Sequence, residues 1–267
     1  MNMLIENFVV GFAVCLFFGI VSLKKKLVDT SGLLAGLIVG TGVFTFGGIR
    51  AFIPLLMFHL ISGFFTHYKY QEKMRRGVAE FKGGARGWRN VFANGAIPLL
   101  AITAEYITQK HIWAAGYLGA IAAAISDTLS NEIGVLNPTY PIRITKPTER
   151  VKPGTPGGIS PLGYFAAFLS STLIGITGFF LSLGSEEVIL TSIIAGLMGT
   201  TVDSIIGDLF QGVYKCRVCG KITEHRTHCG KETEKVRGKE IINNHVVNII
   251  MSATGLIVGY LSYLYIG

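Results

Sequence analysis

The chain has 267 residues, half of them apolar and only 15% charged, with a mean hydropathy of +0.50. Soluble domains carry roughly 25% charged residues, so this composition excludes a soluble enzyme and indicates a polytopic membrane protein. Thirty-four glycines against eight prolines, set inside apolar runs, exclude collagen-like and disordered chains, and the net charge of +8 follows membrane topology rather than nucleic-acid binding.

A bilayer core about 30 Å thick needs roughly 20 mostly apolar residues per helical crossing. Eight segments meet this: about 4–23, 28–48, 51–68, 91–108, 112–133, 160–183, 187–211 and 243–266. The expected fold is all-α, one membrane domain over 1–267 with a cytoplasmic insertion at 213–240. Before the first segment, Met1–Asn7 holds Glu6 and no Lys or Arg. A cleavable signal begins basic, so an uncleaved helix with its N-terminus outside is expected. Cys15 within it is expected to pack or to face lipid. Lys24, Lys25 and Lys26 follow, and then Asp29-Thr30 at the second segment.

Between the third and fourth segments, Tyr68 to Arg89 alternates basic residues with Tyr70, Met74, Val78, Phe81 and Trp88. A surface helix on anionic headgroups explains this pattern. The stretch Gly83-Gly84-Ala85-Arg86-Gly87-Trp88-Arg89-Asn90 also carries cations to the polar start of the fourth segment, where Asn90 and Asn94 share a helix face. Glu105, at that segment's far end, is expected to be interfacial.

The fifth segment places Asp127, Ser130, Asn131 and Gly134 on one stripe, with Glu132 nearby. After it comes a glycine-rich loop with Lys146, Lys152, Gly154, Thr155, Gly157, Gly158 and Ser160. Glycines let backbone N–H groups converge on an anion, and a helix starting just after Ser160 would point its positive end there. An ordinary turn-rich connection has the same composition, and no Walker motif is present. The seventh segment aligns Thr200, Ser204, Asp208 and Gln211, with Asp203 beside them, and the eighth opens with Asn243, Asn244, His245 and Asn248.

The loop between these last two reads Cys216-Arg217-Val218-Cys219-Gly220, then His225-Arg226-Thr227-His228-Cys229-Gly230. Cys-x-x-Cys-Gly is a zinc knuckle, and Cys229 with His228 or His225 completes a Cys₃His tetrahedron. A closed four-ligand site is structural, and a disulfide is disfavoured in a reducing cytosol.

With eight crossings, 22 of the 24 Lys and Arg fall on one side, leaving only Arg50 and Lys110 on the other. The positive-inside rule then makes the basic loops cytoplasmic and both termini external. Asp127, Asp203, Asp208 and Glu132 all lie near that side. Intramembrane acids cost about 2.5–3.5 kcal/mol each and tend to face a polar interior. Acids beneath a cationic surface suit Mg²⁺ holding a polyphosphate. Helix capping, for Glu132 above all, and protonation-coupled transport are the competing readings.

Several motifs together resemble one family: Arg89-Asn90-x-x-Ala93-Asn94-Gly95, Ser126-Asp127-Thr128-x-Ser130-x-Glu132-Ile133-Gly134, Gly154-Thr155-x-Gly157-Gly158-Ile159-Ser160, Asp203-Ser204 with Gln211, and Asn243-Asn244-x-Val246-Val247-Asn248. The chain resembles the integral membrane family catalogued as domain of unknown function ninety-two, which includes a chloroplast phytyl-phosphate kinase. More distantly it is similar to CTP-dependent dolichol kinases and phosphatidate cytidylyltransferases. The Cys/His loop is a departure from the plant kinases.

The resemblance implies phosphoryl transfer from a nucleotide, CTP, to an isoprenyl monophosphate lipid. It implies that Asp127, Asp203 and Asp208 hold Mg²⁺ with help from Glu132. Lys146, Lys152 and the loop from Gly154 to Ser160 would bind the nucleotide. Arg89, Asn90, Asn94, Ser130, Asn243, Asn244 and Asn248 would orient the acceptor. A lipid-phosphate or anion transporter, a cytidylyltransferase and a scaffold presenting the zinc loop are the alternatives.

Overall fold

The computed structural model describes residues 2–266, apart from the side chains of Asn2, Phe81 and Lys82. The expected part of Lys82 in the basic loop therefore lies outside the described side chains. The helices are α1 (Asn2–Lys24), α2 (Thr30–His67), α3 (Tyr70–Arg76), α4 (Trp88–Thr108), α5 (Ile112–Gly134), α6 (Pro161–Phe180), α7 (Glu187–Leu209) and α8 (Asn244–Ile266). Among the described residues, all but α3 are long and apolar enough to cross a membrane, which makes seven spanning helices.

The sequence predicts eight crossings, and α2 reconciles the two counts. Its 38 residues would reach about 57 Å if straight, nearly twice a bilayer core. Gly48, at φ 64° and ψ −166°, breaks it in a conformation open essentially to glycine alone. The arms, 30–47 and 49–67, then run back alongside each other. The rings of Phe44 and Phe52 lie 5.4 Å apart. On α1, Gly19 meets Leu33 of one arm, and Ser22 Oγ lies 2.8 Å from His59 Nε2 of the other. The second and third expected crossings are thus one helical stretch folded at Gly48.

This fold-back brings the four basic loops to one face. Asp29 N–H donates to Arg86 O (3.1 Å) and Arg86 N–H to Leu27 O (2.9 Å). Arg76 Nη1 donates to Val135 O (3.1 Å), and Arg237 Nη2 to Pro156 O (3.2 Å). At the opposite face Arg50 Nη1 reaches Ser182 O (3.4 Å), and Ser185 Oγ lies 2.9 Å from Tyr263 Oη.

Helix α5 is the hub, packed against α4, α6, α7 and α8. Lipid tails give no hydrophobic drive between helices, so close packing of small residues must hold the bundle together. Residues Ala114, Ala115, Ala120 and Ala122–Ala124 of α5 are fully buried or nearly so. Gly119 rests on the backbone of α8 at Gly255, where any side chain would overlap the Gly255 carbonyl.

Two loops add short strands to the expected all-α fold. The first forms β1 (Ile142–Arg143), β2 (Lys146–Arg150) and β3 (Gly158–Ile159), in the order β2-β1-β3. The second forms β4 (Val213–Lys215), β5 (Ile222–Thr223), β6 (Thr227–His228), β7 (Lys231–Glu232) and β8 (Glu234–Arg237). These make a β5-β4-β8 sheet and a β6-β7 hairpin. Strands this short show no readable alternation. The small helix α3 is more than a headgroup-facing surface: Lys73 points inward and is 1% exposed.

Candidate functional site

Two carboxylates from different helices meet near the basic face. Asp127 of α5 and Asp203 of α7 lie close enough for each carboxyl to feel the other. The Asp127 Oδ1 atom accepts from Asn131 Nδ2 at 3.1 Å and from Thr200 Oγ1 at 3.5 Å. Ser130 Oγ lies 3.1 Å from the same threonine. The Oδ2 atom of Asp203 is buried and has no hydrogen-bond partner among the described residues. Two facing carboxylates with an unsatisfied buried oxygen favour a cation between them. The donor set is all oxygen, which suits Mg²⁺.

The other two acids named from the sequence do different work. Glu132 is turned away from Asp127 and occupied. Lys73 Nζ donates to its Oε2 at 2.6 Å, Thr66 Oγ1 donates to its Oε1 at 2.9 Å, and Arg86 Nη2 lies 3.6 Å away. Asp208 is equally engaged: Arg143 Nη1 (2.6 Å), Arg237 Nη1 (2.9 Å) and the Thr145 hydroxyl all donate to it. The expected metal-binding role of these two competes with these ion pairs, since a carboxylate already facing two cations has little left for a third.

The glycine-rich loop packs on the end of α7. Gly157, at φ +80°, sits where any Cβ would overlap Asp208. The loop folds as successive turns, with Thr155 N–H to Lys152 O at 3.1 Å and Gly158 N–H to Thr155 O at 2.9 Å. Gly154 also has a positive φ, +79°. Lys146 and Lys152 extend to solvent. Ser160 caps α6, accepting from Gly163 N–H at 3.1 Å, so its hydroxyl is spent on the fold. Asn243 likewise serves as a cap for α8, accepting from His245 N–H (3.0 Å) and Val246 N–H (3.2 Å). Asn244 opens α8 half-buried, while Asn248 is buried within it. Arg89 is exposed, and its guanidinium lies 5.3 Å from the Trp88 ring centre.

Beside the acid pair an apolar cleft runs into the membrane between α1, the two arms of α2 and α4. Its mouth at the basic face holds Thr66, Arg86, Asn90, Asn94 and Thr128, the last adjacent in sequence to Asp127. Asn94 is 4% exposed; its Nδ2 donates to Asn90 O at 3.0 Å, while its Oδ1 has no hydrogen-bond partner among the described residues. Burial opposes the charge on Arg86, but Glu80, Glu132 and Asp127 outweigh it and hold its pKa above the ordinary guanidinium value. The mouth therefore keeps a fixed positive charge within electrostatic reach of the acid pair.

The Cys/His loop converges as the spacing requires. Donor atoms of Cys216, Cys219, His228 and Cys229 all lie within 4.8 Å of one another. His228 Nδ1 is 3.2 Å from Cys229 Sγ and 3.5 Å from Cys219 Sγ, so His228, not His225, takes the fourth place. N–H groups of Val218 (3.4 Å) and Cys219 (3.5 Å) point at Cys216 Sγ. These bonds, that of Cys219 first, pull the Cys216 thiol down to about 6. The neighbouring thiols, Cys219 first, push Cys229 up to about 11. Without a cation the group cannot fully deprotonate; a tetrahedral Zn²⁺ fits the donor set and relieves the repulsion.

One acid went unnoticed in the sequence. The pairing Tyr214↔Thr223 puts Glu224 opposite Val213, at the membrane end of the β4–β5 hairpin and close to the end of α7. Glu224 keeps an exposed surface, yet its carboxyl is pushed up toward about 7 by desolvation from the packed hairpin and by the negative charges of Glu80 and Asp127. Asp203 feels the charge of Glu224 as well. In a loop crowded with charges no spacing singles it out; only the strand register does.

Known proteins share this chain's sequence over most of its length. The chain is 32% identical over 265 residues to the membrane protein MJ0933 of Methanocaldococcus jannaschii, covering 98% of this chain and 97% of that one. It is 35% identical over 257 residues to Protein PGR of Arabidopsis thaliana, covering 86% of each. It is 28% identical over 240 residues to the chloroplastic Protein VTE6 of the same plant, covering 87% of this chain and 64% of that one. No solved structure matches the chain. The family model described as Integral membrane protein DUF92 matches residues 13–256, and the chain belongs to that family.

Proposed function

We propose that this chain is a nucleotide-dependent kinase, with CTP as donor, that converts an isoprenyl monophosphate to its diphosphate at the cytoplasmic face of the membrane. One observation carries the reading. Carboxylates of two helices, Asp127 and Asp203, lie within each other's reach, and Asp127 lies within electrostatic reach of Arg86 at the polar mouth of an apolar cleft. A lipid with a phosphate head needs both halves of that arrangement. Membership of a family that includes a chloroplast phytyl-phosphate kinase supports it.

The acceptor is already an anionic phosphate, so transfer needs no strong base; it needs two polyanions held together in line. Arg86, Asn90 and Asn94 would orient the acceptor phosphate at the mouth. Lys146, Lys152 and the Gly154–Gly158 turns would lie along the nucleotide phosphates. The γ-phosphoryl group passes to an acceptor phosphate oxygen, leaving CDP and the isoprenyl diphosphate. Asp127 and Asp203 would hold Mg²⁺, which when bound neutralises the phosphate charge that builds between donor and acceptor. Glu224 would add negative charge within electrostatic reach of Asp127 and Asp203. The Zn²⁺ loop is structural in this reading, fixing the hairpin that carries Glu224. Both termini would lie outside and the basic loops in the cytosol.

The test is phosphoryl transfer by purified protein in nanodiscs with CTP, Mg²⁺ and geranylgeranyl phosphate. Asp127→Asn and Asp203→Asn should each lower kcat by about 10²–10³-fold, the usual loss for an electrostatic group at the reacting phosphates. Release of pyrophosphate instead of CDP would make the protein a cytidylyltransferase. Failure to transfer from any nucleotide to any prenyl phosphate, in a folded sample, overturns the kinase.

A further inference from the structure

Resting on that kinase reading, we propose that the apolar cleft is a closed-ended slot that measures the isoprenoid tail. It admits about four isoprenyl units, is stopped by Cys15, Phe44 and Phe52, and has Gly36 facing its open middle.

The slot has a floor. Cys15, Phe44 and Phe52 form one buried cluster, with Leu37 and Leu56 packed against it. Gly40 seals this end: its hydrogen leaves room for α1, whereas a Cβ would stand 2.7 Å from Cys15 Sγ. Along the second arm of α2 the lining runs from Thr66 at the mouth to Phe52 at the floor. Fourteen helical residues span about 21 Å. An extended isoprenyl unit advances about 5 Å, from four carbon–carbon bonds of about 1.5 Å each. The slot thus matches about four units, and a much longer polyprenol would have to leave part of its tail outside.

The slot also has a polar end and an open middle. Ser62 Oγ, one turn below Thr66, is buried without a hydrogen-bond partner among the described residues, as is Asn94 Oδ1. A hydroxyl and an amide left unsatisfied beside Arg86 suit a phosphate head, directly or through water, with the tail pointing inward. Deeper polar groups do not compete, because Ser22 and His59 satisfy each other. Gly36 lines the slot midway, and a Cβ built there meets nothing within 4 Å. A side chain at 36 would therefore enter the slot without displacing a neighbour, which makes it a clean probe.

The experiment uses the full chain in nanodiscs, CTP with Mg²⁺, and monophosphates of geranyl, farnesyl, geranylgeranyl and a ten-unit polyprenyl alcohol. In the wild type kcat/KM should rise to the four-unit tail and fall by about tenfold or more for the ten-unit one. Gly36→Leu should lose about tenfold or more on geranylgeranyl phosphate while keeping geranyl phosphate within about twofold. Phe52→Ala should ease the ten-unit penalty. Equal kcat/KM across all tails, or an equal loss on all of them in Gly36→Leu, overturns the slot and leaves the kinase standing. A separate readout uses no chemistry: geranylgeranyl phosphate without CTP should raise the Tm of the wild type and not that of Gly36→Leu. If transfer fails but this protection holds, the kinase falls and the slot survives. If protection is the same in both proteins, the slot falls whatever the activity.

Discussion

Lys73→Met tests whether Glu132 belongs to the scaffold or to the metal site. The Lys73 ammonium, 1% exposed, faces a carboxylate that is 7% exposed. It is bonded to Glu132 Oε2 at 2.6 Å and to the Phe65 carbonyl at 2.6 Å. Methionine keeps the length and the apolar stem but removes the charge. Removing one partner of a buried ion pair typically costs 3–5 kcal/mol, because the other charge stays desolvated. Here the Thr66 hydroxyl remains, and Arg86 stands 3.6 Å from Oε1, so the lower end applies, about 3 kcal/mol.

Glu132→Gln should cost a comparable amount by stranding Lys73. The double variant should cost less than the sum, with a coupling of at least about 2 kcal/mol. Denaturant unfolding in detergent, followed by tryptophan fluorescence, gives all three values. The reasoning fails if Lys73→Met stays within about 1 kcal/mol of wild type, the range of an exposed pair. It fails equally if Glu132→Gln keeps full stability and loses Mg²⁺-dependent nucleotide binding, for then Glu132 is a metal ligand after all.

Elemental analysis of the purified protein should find one zinc per chain, and Cys219→Ser should lose it while hydrogen exchange across β4–β8 speeds up; undiminished zinc in that variant would contradict the Cys₃His assignment. Desolvation and the charges of Glu80 and Asp127 push the Glu224 carboxyl up toward about 7, so Mg²⁺ affinity at Asp127 and Asp203 should rise between pH 6 and 8 as a negative charge appears nearby, and Glu224→Gln should flatten that rise. Without metal the sign reverses. A carboxyl raised from 4.5 to about 7 contributes stability that is present below about pH 4.5 and lost as pH climbs through 7, a slope Glu224→Gln should abolish. Gly48→Ala should cost about 1–3 kcal/mol at the φ +64° fold-back, read as a lower Tm; an unchanged Tm would mean the turn is not strained.

The crossings were legible because hydropathy over twenty residues is a strong signal, and the gathering of the basic loops on one face because cations alternate with parity. The fold-back was visible as an interruption, with Gly47, Gly48 and Arg50 between two apolar runs. Other features depend on partners distant in the chain. Lys73 and Glu132 are 59 residues apart, and nothing local marks Lys73 among its basic neighbours as the buried one. The apolar cleft was invisible because its glycines read as helix packing; only the assembled arms show that Gly36 faces space. The choice of His228 over His225 required the β6–β7 hairpin, which orients one ring toward the thiols.

The acids show where the sequence could have been read further. In both α5 and α7 the pair is spaced by five: Asp127 with Glu132, and Asp203 with Asp208. At about 100° per residue, five positions turn the later acid about 140° from the earlier one, so the two cannot share a ligand on one helix face. Asp127 and Asp203 face each other across the α5–α7 contact. Glu132 and Asp208 point outward, toward the loops, and take cations: Lys73 and Arg86 on Glu132, Arg143 and Arg237 on Asp208. The basic loops are therefore pinned to the helix ends by the acids that do not face the candidate metal site. That arrangement explains how one helix end carries two carboxylates at tolerable cost. One is neutralised permanently by the protein, and in the proposed function the other would be neutralised by Mg²⁺.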